Sequence, residues 1–516
     1  MRKYLRNITI GATLLLLAGS CTDKFEEYNT NQYQIHDADP ATLMKSMIET
    51  IVNIQQNDSQ MQDQMVGQLG GYLCVSNTWS GTNFGTFNQS DAWNANPWNT
   101  PFEKIYGNFF QIQEATNSTG HYYAFVCMIR AITMLRVTDC YGPMPYSQVK
   151  KGNFYVSYDS QKQVYTNILS DLANAADILY NYYVETNGNT PLGNNDPVFD
   201  GNYASWAKLA NSMRLRVAMR ISGVWPEIAQ PAAEAAVTHK AGLIESNSDN
   251  AMLSCGSQSN PYQLAAVSWG DLRVNANIVD YMTAYNDPRM VKYFNKSTLT
   301  GMTDKYVGMR TGDADFKKAD AAGYSIPAYT ATSKLMVFCA AETAFLRAEG
   351  KLRNWKMGDK TAKAYYEEGI NLSMEQYQVA GTEFMNIVDA PTVTHPSDAV
   401  QKAAATISNT VGVKWSDSES DDVDGKNFQR IITQKWIANY PLGMEAWAEY
   451  RRTGYPELYP CIDNLSDCGV SSQRGMRRLS FPYSEAQNNK ANYDQGVIEL
   501  EGSDNEATDL KWAKKN

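Results

Sequence analysis

Histidine is scarce in this 516-residue chain, and His36, His121, His239 and His395 show no metal-ligand spacing. No H-E-x-x-H, G-x-S-x-G or C-x-x-C occurs, which argues against zincin, α/β-hydrolase, zinc-ribbon and thioredoxin-type chemistry. Basic clusters are also missing, so nothing holds the chain electrostatically to nucleic acid or to an anionic membrane surface. Long apolar runs are missing too. The longest, Ile8 to Ala18, has eleven residues and is too short for a bilayer core of about 30 Å. Aromatics, by contrast, are plentiful, with 32 Tyr and 11 Trp. Some must be exposed, and exposed rings in an exported protein suggest a binding face.

Export is read from the N-terminus. Arg2, Lys3 and Arg6 precede the short apolar run, and Leu17-Ala18-Gly19-Ser20 lead into Cys21. This is a cleaved signal over residues 1–20. Its end resembles the lipobox of bacterial lipoproteins, in which Cys21 becomes the lipidated N-terminus. Ala18 stands where that pattern more often has Leu, and an ordinary secretory signal is the alternative. Removing the three basic residues leaves 42 basic against 55 acidic, a net charge of −13. With Cys21 acylated, seven cysteines remain, and an odd number argues against a disulfide framework. Cys127 and Cys339 fall in apolar helical patterns. Cys461 and Cys468 bracket a short polar loop and are the pair placed to join locally; spacing alone leaves that open.

Helical periodicity dominates the mature chain. Phe125 to Leu135, Val164 to Leu179, Trp206 to Ile221, Phe338 to Leu352 and Ala362 to Tyr377 each carry an apolar stripe. Short turns between helices with small and aromatic faces point to stacked pairs like tetratricopeptide repeats, although no strict 34-residue period is present. The expected class is mostly α, with tetratricopeptide-like pairs, long loop insertions and minor β. Residues 187–202, 300–328 and 381–426 are long polar connections scattered through the chain, which favours one domain over residues 21–516.

Catalytic patterns occur only in fragments. Ser147…Lys150 and Ser248-Asp249-Asn250 mimic two motifs of penicillin-binding enzymes, but Ser147 follows Gly142-Pro143-Met144-Pro145, opens no helix, and has no K-T-G after it. The acidic run Asp417 to Asp424 leads into Gly425, yet an EF-hand frame there would require Ser420 and Ile431 as ligands. Glu445 and Glu449, one turn apart and followed by Arg451 and Arg452, read as a helix-surface charge network. No metal or cofactor is expected.

The best binding candidate is the stretch from Asn77 to Asn99. It interleaves Trp79, Phe84, Phe87, Trp93 and Trp98 with six asparagines, Asn83 among them, and its one charge is Asp91. Indole faces can hold the C–H face of a sugar ring while carboxamides exchange hydrogen bonds with its hydroxyls. Trp98 begins a 4,3,4,3 stripe through Ile112, with Pro101 suited to a helix start, and is core. Trp79 and Trp93 lack that periodicity. Tyr262, Trp269 and Arg273 form a second, weaker cluster.

Several segments carry a family resemblance: Ile129-Arg130-Ala131 running into Tyr141-Gly142-Pro143-Met144-Pro145-Tyr146; Asn286-Asp287-Pro288-Arg289; Leu346-Arg347-Ala348-Glu349 with Trp355, Gly358-Asp359 and Tyr365-Tyr366; Gln434-Lys435-Trp436; Glu445-Ala446-Trp447 with Arg451 to Pro456; and Arg477-Arg478-Leu479 with Phe481-Pro482. In this order they resemble the SusD/RagB family of Bacteroidetes outer-membrane lipoproteins, with Pro143 replacing the usual acidic residue. Pro441 and Gly443 predict two short helices where one unbroken helix might be drawn. The resemblance implies a lipid-anchored protein at the outer membrane, facing the exterior, that binds oligosaccharides without catalysis and passes them to a TonB-dependent SusC-like transporter. Thr22-Asp23-Lys24 with Glu26-Glu27 is similar to the acidic export signal of such lipoproteins. A peptide-binding member of the same system, a helical glycoside hydrolase and a protein-only scaffold are the alternatives.

Overall fold

The computed structural model describes residues 39–153 and 155–514, so the signal segment, Cys21 and the leader after it lie outside the described residues. Helices α1 (Pro40–Ile48), α2 (Asp91–Ala115), α3 (Gly120–Tyr141), α4 (Gln161–Glu185), α5 (Tyr203–Arg220) and α6 (Pro226–Thr238) make up the first half. From α2 to α6 each helix packs on the next. Side-chain caps set the starts: Ser90, Ser160 and Asn202 accept from Trp93, Gln163 and Ser205 backbone N–H groups at 3.2–3.3 Å. The helix carrying Trp98 therefore opens at Asp91 and not at Pro101. Pro97 and Pro101 lie inside it, because Ser90 supplies the cap.

The second half holds α7 (Ala276–Ala284), α8 (Ala340–Leu352), α9 (Ala362–Gln376), α10 (Lys426–Ala438) and α11 (Gly443–Thr453), then α12 (Tyr483–Asn488) and α13 (Lys490–Leu500). Helix α8 packs on α9, α5 and α10, which joins the two sets of helix pairs. The break at Pro441 and Gly443 separates α10 from α11 as the sequence predicts. Phe338 is the exception to the helical pattern around it: it ends a strand, and α8 begins at Ala340.

Strands are short and form three antiparallel pairs. β1 (Leu73–Val75) pairs with β3 (Leu272–Val274), β2 (Ala251–Leu253) with β4 (Leu335–Phe338), and β5 (Val393–His395) with β6 (Ala405–Ile407). The long connections are folded. The 300–328 segment wraps a small core of Leu299, Val307, Met309, Ala321 and Tyr324 around Cys74 of β1, and Met309 N–H donates to Val274 at 2.8 Å. One larger apolar core runs from Ala41 to Ala513.

At the centre is a chain of buried charges. Arg216 of α5 grips Glu342 of α8 with two hydrogen bonds of 2.7 and 2.6 Å. One turn on, Arg220 reaches Glu445 at 2.6 Å and Glu449 at 2.5 Å on α11, and Asp139 on α3 at 3.4 Å. Glu449 also holds Lys435 of α10 and Arg452, each at 2.8 Å. Arg452 continues to Glu349 of α8 at 2.6 Å, and Glu349 accepts from Arg353 at 2.9 Å. The helix-surface reading of Glu445 and Glu449 is thus corrected: Glu449 is buried and Glu445 half-buried, because α5 and α10 bring cations against the face they occupy. Burial alone would raise the Glu449 carboxyl, but Arg452, Lys435 and Arg220 hold it well below its ordinary 4.5.

The Cys461–Cys468 pairing that spacing left open is not formed, and both thiols are free. They point to different partners, Cys461 Sγ to the Gly85 carbonyl at 3.2 Å and Cys468 Sγ to Glu506 Oε2 at 3.3 Å.

Replacing Glu449 with Gln leaves Arg220, Lys435 and Arg452 facing an uncharged amide, and should cost about 3–5 kcal/mol at neutral pH. Denaturant melts of both chains check this. The sign follows from the depressed carboxyl: the deficit is full above pH 4.5 and closes as acid protonates Glu449 in the native chain.

Candidate functional site

The site begins where β1 and β3 end. Cys74 opposes Arg273 and Val75 opposes Leu272 in the ladder. Beyond it, Ser76 N–H donates to the Asp271 carbonyl and Ser76 Oγ to the Gly270 carbonyl, both at 2.8 Å. Asn77 Nδ2 then donates to Asp271 Oδ1 at 3.1 Å. Two segments nearly two hundred residues apart, one ending in Trp79 and the other containing Trp269, are thereby fixed at one sheet edge.

Each segment is fed by a widened helical turn. A π-helical turn, Ser59–Val66, runs into the tight 67–70 turn before β1, and a second, Leu264–Trp269, ends at Gly270 before β3. Such turns are rare and occur frequently at functional sites. Gln60 of the first turn donates to Asp271 Oδ2 at 3.3 Å. Lys318, from the 300–328 segment, forms an ion pair with the same carboxylate. Asp271 therefore gathers a carboxamide from each side and a cation, and all three partners are partly exposed.

Trp79 and Trp93 meet edge to face with centroids 5.3 Å apart. Ser90 caps α2 and so places Trp93 in its first turn. Asn77 Oδ1 accepts from Trp79 N–H at 3.0 Å, closing a turn in which Trp79, Ser80 and Gly81 have φ of 37°, 61° and 94°. A left-handed Trp–Ser pair costs about 1–3 kcal/mol per residue and marks over-determined, often functional, backbone. Both indoles are half-buried, which leaves part of each available.

The other expected residues divide. Trp269 lies at this edge and is half-buried. Asn83 is 9 % exposed, and its carboxamide is used internally: Oδ1 accepts from Gln68 Nε2 and Gly85 N–H, and Nδ2 donates to the Asn77 carbonyl. It shapes the loop. Arg273 is 4 % exposed and donates to the carbonyls of Ala321, Ala266 and Leu272, and burial pushes its pKa down. It braces the second π turn against the 300–328 segment. Tyr262, 2 % exposed, stacks on Tyr329 at 5.7 Å and faces an internal cavity beside Asp63 and Arg136, away from Trp269. Asn77, Gln60, Asp271 and Lys318 were not singled out from sequence. Asn77 belonged to the asparagine-rich stretch, but only strand pairing shows what the four share.

The motifs set aside stay apart from this edge. Ser147 Oγ donates to Asp159 at 2.7 Å, and Asp249 pairs with Lys208 at 2.9 Å. In the acidic loop, Asp417 binds Lys363, Glu419 binds Lys426 and Arg430, and Asp424 binds Lys514. Among the described residues no group of three or more acidic, His or Cys side chains is placed to hold a metal.

The family described as "SusD-like: Susd and RagB outer membrane lipoprotein" matches residues 22–513. A SusD-like protein from Bacteroides thetaiotaomicron VPI-5482 is 36% identical with a TM-score of 0.88, over 93% of this chain and 99% of its own. A SusD homologue from Bacteroides ovatus ATCC 8483 is 35% identical with a TM-score of 0.85, over 92% and 99%. A chitin-binding SusD homologue from Flavobacterium johnsoniae is 32% identical with a TM-score of 0.86, also over 92% and 99%. No curated protein matches the chain.

Arg273→Ala should remove three hydrogen bonds to carbonyls and destabilise the protein by about 2–4 kcal/mol. Thermal melts check this. A change of less than about 0.5 kcal/mol would contradict the bracing role.

Proposed function

Because the chain belongs to the SusD-like family of outer-membrane lipoproteins, we propose that it captures oligosaccharides at the Trp79–Trp93–Trp269 edge and delivers them to a TonB-dependent SusC-like transporter. In this reading residues 21–516 work as one unit, tethered by acyl chains on Cys21 and facing the cell exterior. Tethering raises the local concentration of captured ligand near the channel and is worth more than intrinsic affinity alone.

The observation that carries the ligand class is the edge itself. Half-exposed indoles stand beside carboxamides and a single carboxylate–lysine pair, a mixture suited to a flat, hydroxyl-rich ring. The chitin-binding homologue supports the same class. In this reading the role is non-catalytic, and Asp271, the carboxylate at the edge, is engaged by Asn77, Gln60 and Lys318. Peptide capture is the second reading, since the carboxamides would also serve backbone amides.

Calorimetric titration of the soluble chain from Thr22 onward, against neutral oligosaccharides and a mixed-peptide pool, tests this. Sugar binding without released product, weakened about tenfold (~1.4 kcal/mol) by Trp79→Ala or Trp269→Ala, is the expected result. Hydrolysis, or binding indifferent to all three tryptophans, would overturn it. A response to peptides alone would select the second reading.

A further inference from the structure

A second cleft, of about 650 Å³, opens on the β2–β4 side, among residues of β2, β4, the C-terminal end of α9 and the segment after α10. Its lining is tyrosine-rich. Tyr293 and Tyr440 stack with centroids 4.9 Å apart and 17° between planes, and Tyr377 meets Tyr293 edge-on at 4.7 Å. Tyr329 completes the wall, held from behind by Tyr262.

Two features of this lining are unspent. Tyr440 is 1 % exposed, yet its hydroxyl has no hydrogen-bond partner among the described residues. Tyr293 shows the contrast, because its hydroxyl donates to the Ile437 carbonyl at 3.1 Å. A buried hydroxyl without a partner is unfavourable, so Tyr440 is held in the wall by its ring contacts and not by a hydrogen bond. The second feature is charge. Lys292 and Lys334 line the cleft, both exposed, and neither ammonium has an ion-pair or hydrogen-bond partner among the described residues. The one acid in the lining, Glu375, accepts from Asn247 at 3.2 Å. The cleft therefore carries a net positive charge in a chain whose overall charge is −10. Carboxamides at the rim are already ordered: Asn250 Nδ2 donates to Gln376 Oε1 at 3.3 Å, and its Oδ1 accepts from Ala340 N–H at 2.8 Å.

We propose that this cleft is a second saccharide site, selective for a short sugar that bears a carboxylate, with Lys292 and Lys334 on the carboxylate. The half-buried phenols of Tyr329 and Tyr377 suit the C–H face of a pyranose, and the volume falls in the range of small-molecule sites. Exposed lysines select charge as mobile, hydrated cations, so binding weakens with salt. The cleft shares no lining residue with the Trp79 edge and does not depend on the reading given to that edge.

Digalacturonic acid and its uncharged counterpart, galactobiose, are the probes, titrated into the soluble chain from Thr22 onward. The acid should bind, its affinity should fall at least tenfold in a Lys292→Ala, Lys334→Ala double variant, and Trp79→Ala should leave it unchanged. Tyr440→Phe, which removes only a sealed, unpartnered hydroxyl, should leave the acid's affinity unchanged while keeping or raising the melting temperature. Both lysines are exposed, so the double variant folds. Absence of binding, equal binding of galactobiose by the Trp79→Ala chain, or loss of acid binding in Trp79→Ala but not in the lysine variant would each overturn the proposal. None of these outcomes depends on whether neutral glycans bind the tryptophan edge.

Discussion

Arg220 sits with its guanidinium buried among Asp139, Glu445 and Glu449, and the rest of the helical frame is built around keeping it there. Taking such ions out of water costs several kcal/mol each, so the arrangement holds only when every charge is matched at hydrogen-bond distance. The matching carboxylates and cations come from α3, α5, α8, α10 and α11, and five helices are therefore locked in mutual register by one continuous network. An apolar core alone would tolerate sliding between helix pairs; this one does not, because a shift of one turn would separate Arg216 from Glu342 and Arg220 from Glu445 together.

That frame also reaches the binding edge. Trp436 of α10 donates to the Gly70 carbonyl at 2.8 Å, and Gly443 at the start of α11 lies against Gly67 and Gly70 so closely that a methyl on Gly70 or Gly443 would overlap backbone. The 67–70 turn thus has one position, and β1 leaves it in one direction. β3 pairs with β1, Arg273 ties β3 to the 300–328 segment, and Lys318 from that segment returns to Asp271. A strained Trp79–Ser80 turn is sustained because everything beneath it is fixed. Charge network, glycine contact, strand pair and aromatic edge form one mechanical sequence.

Much of this frame was legible in the sequence. Apolar stripes located five helical segments, and Pro441 with Gly443 located the break between α10 and α11. The segments that carry the family resemblance proved to be scaffold: Gln434 binds Arg289, Lys435 binds Glu449 and Trp436 binds Gly70. Glu445 and Glu449 were misread because a carboxylate beside arginines has the same pattern whether it faces water or another helix. For the binding edge, residue type was informative and position was not. Trp79 and Trp93 stood out as rings without helical periodicity and Trp269 as a member of a weaker cluster, whereas Arg273, Asn83 and Tyr262 have the same chemistry spent on carbonyls, loop closure and stacking. Asp271 and Lys318 acquire meaning only through strand pairing across nearly two hundred residues, and no local pattern encodes that.

The central claim is that ligand meets a rigid edge on an unchanged frame. Hydrogen–deuterium exchange, with and without the tightest-binding oligosaccharide, tests it most directly. The account predicts slowed exchange in residues 76–93 and 264–271, with the buried helices α5, α8 and α11 unaltered. Protection confined to the helix pairs, or a general change across the charge network on binding, would contradict it.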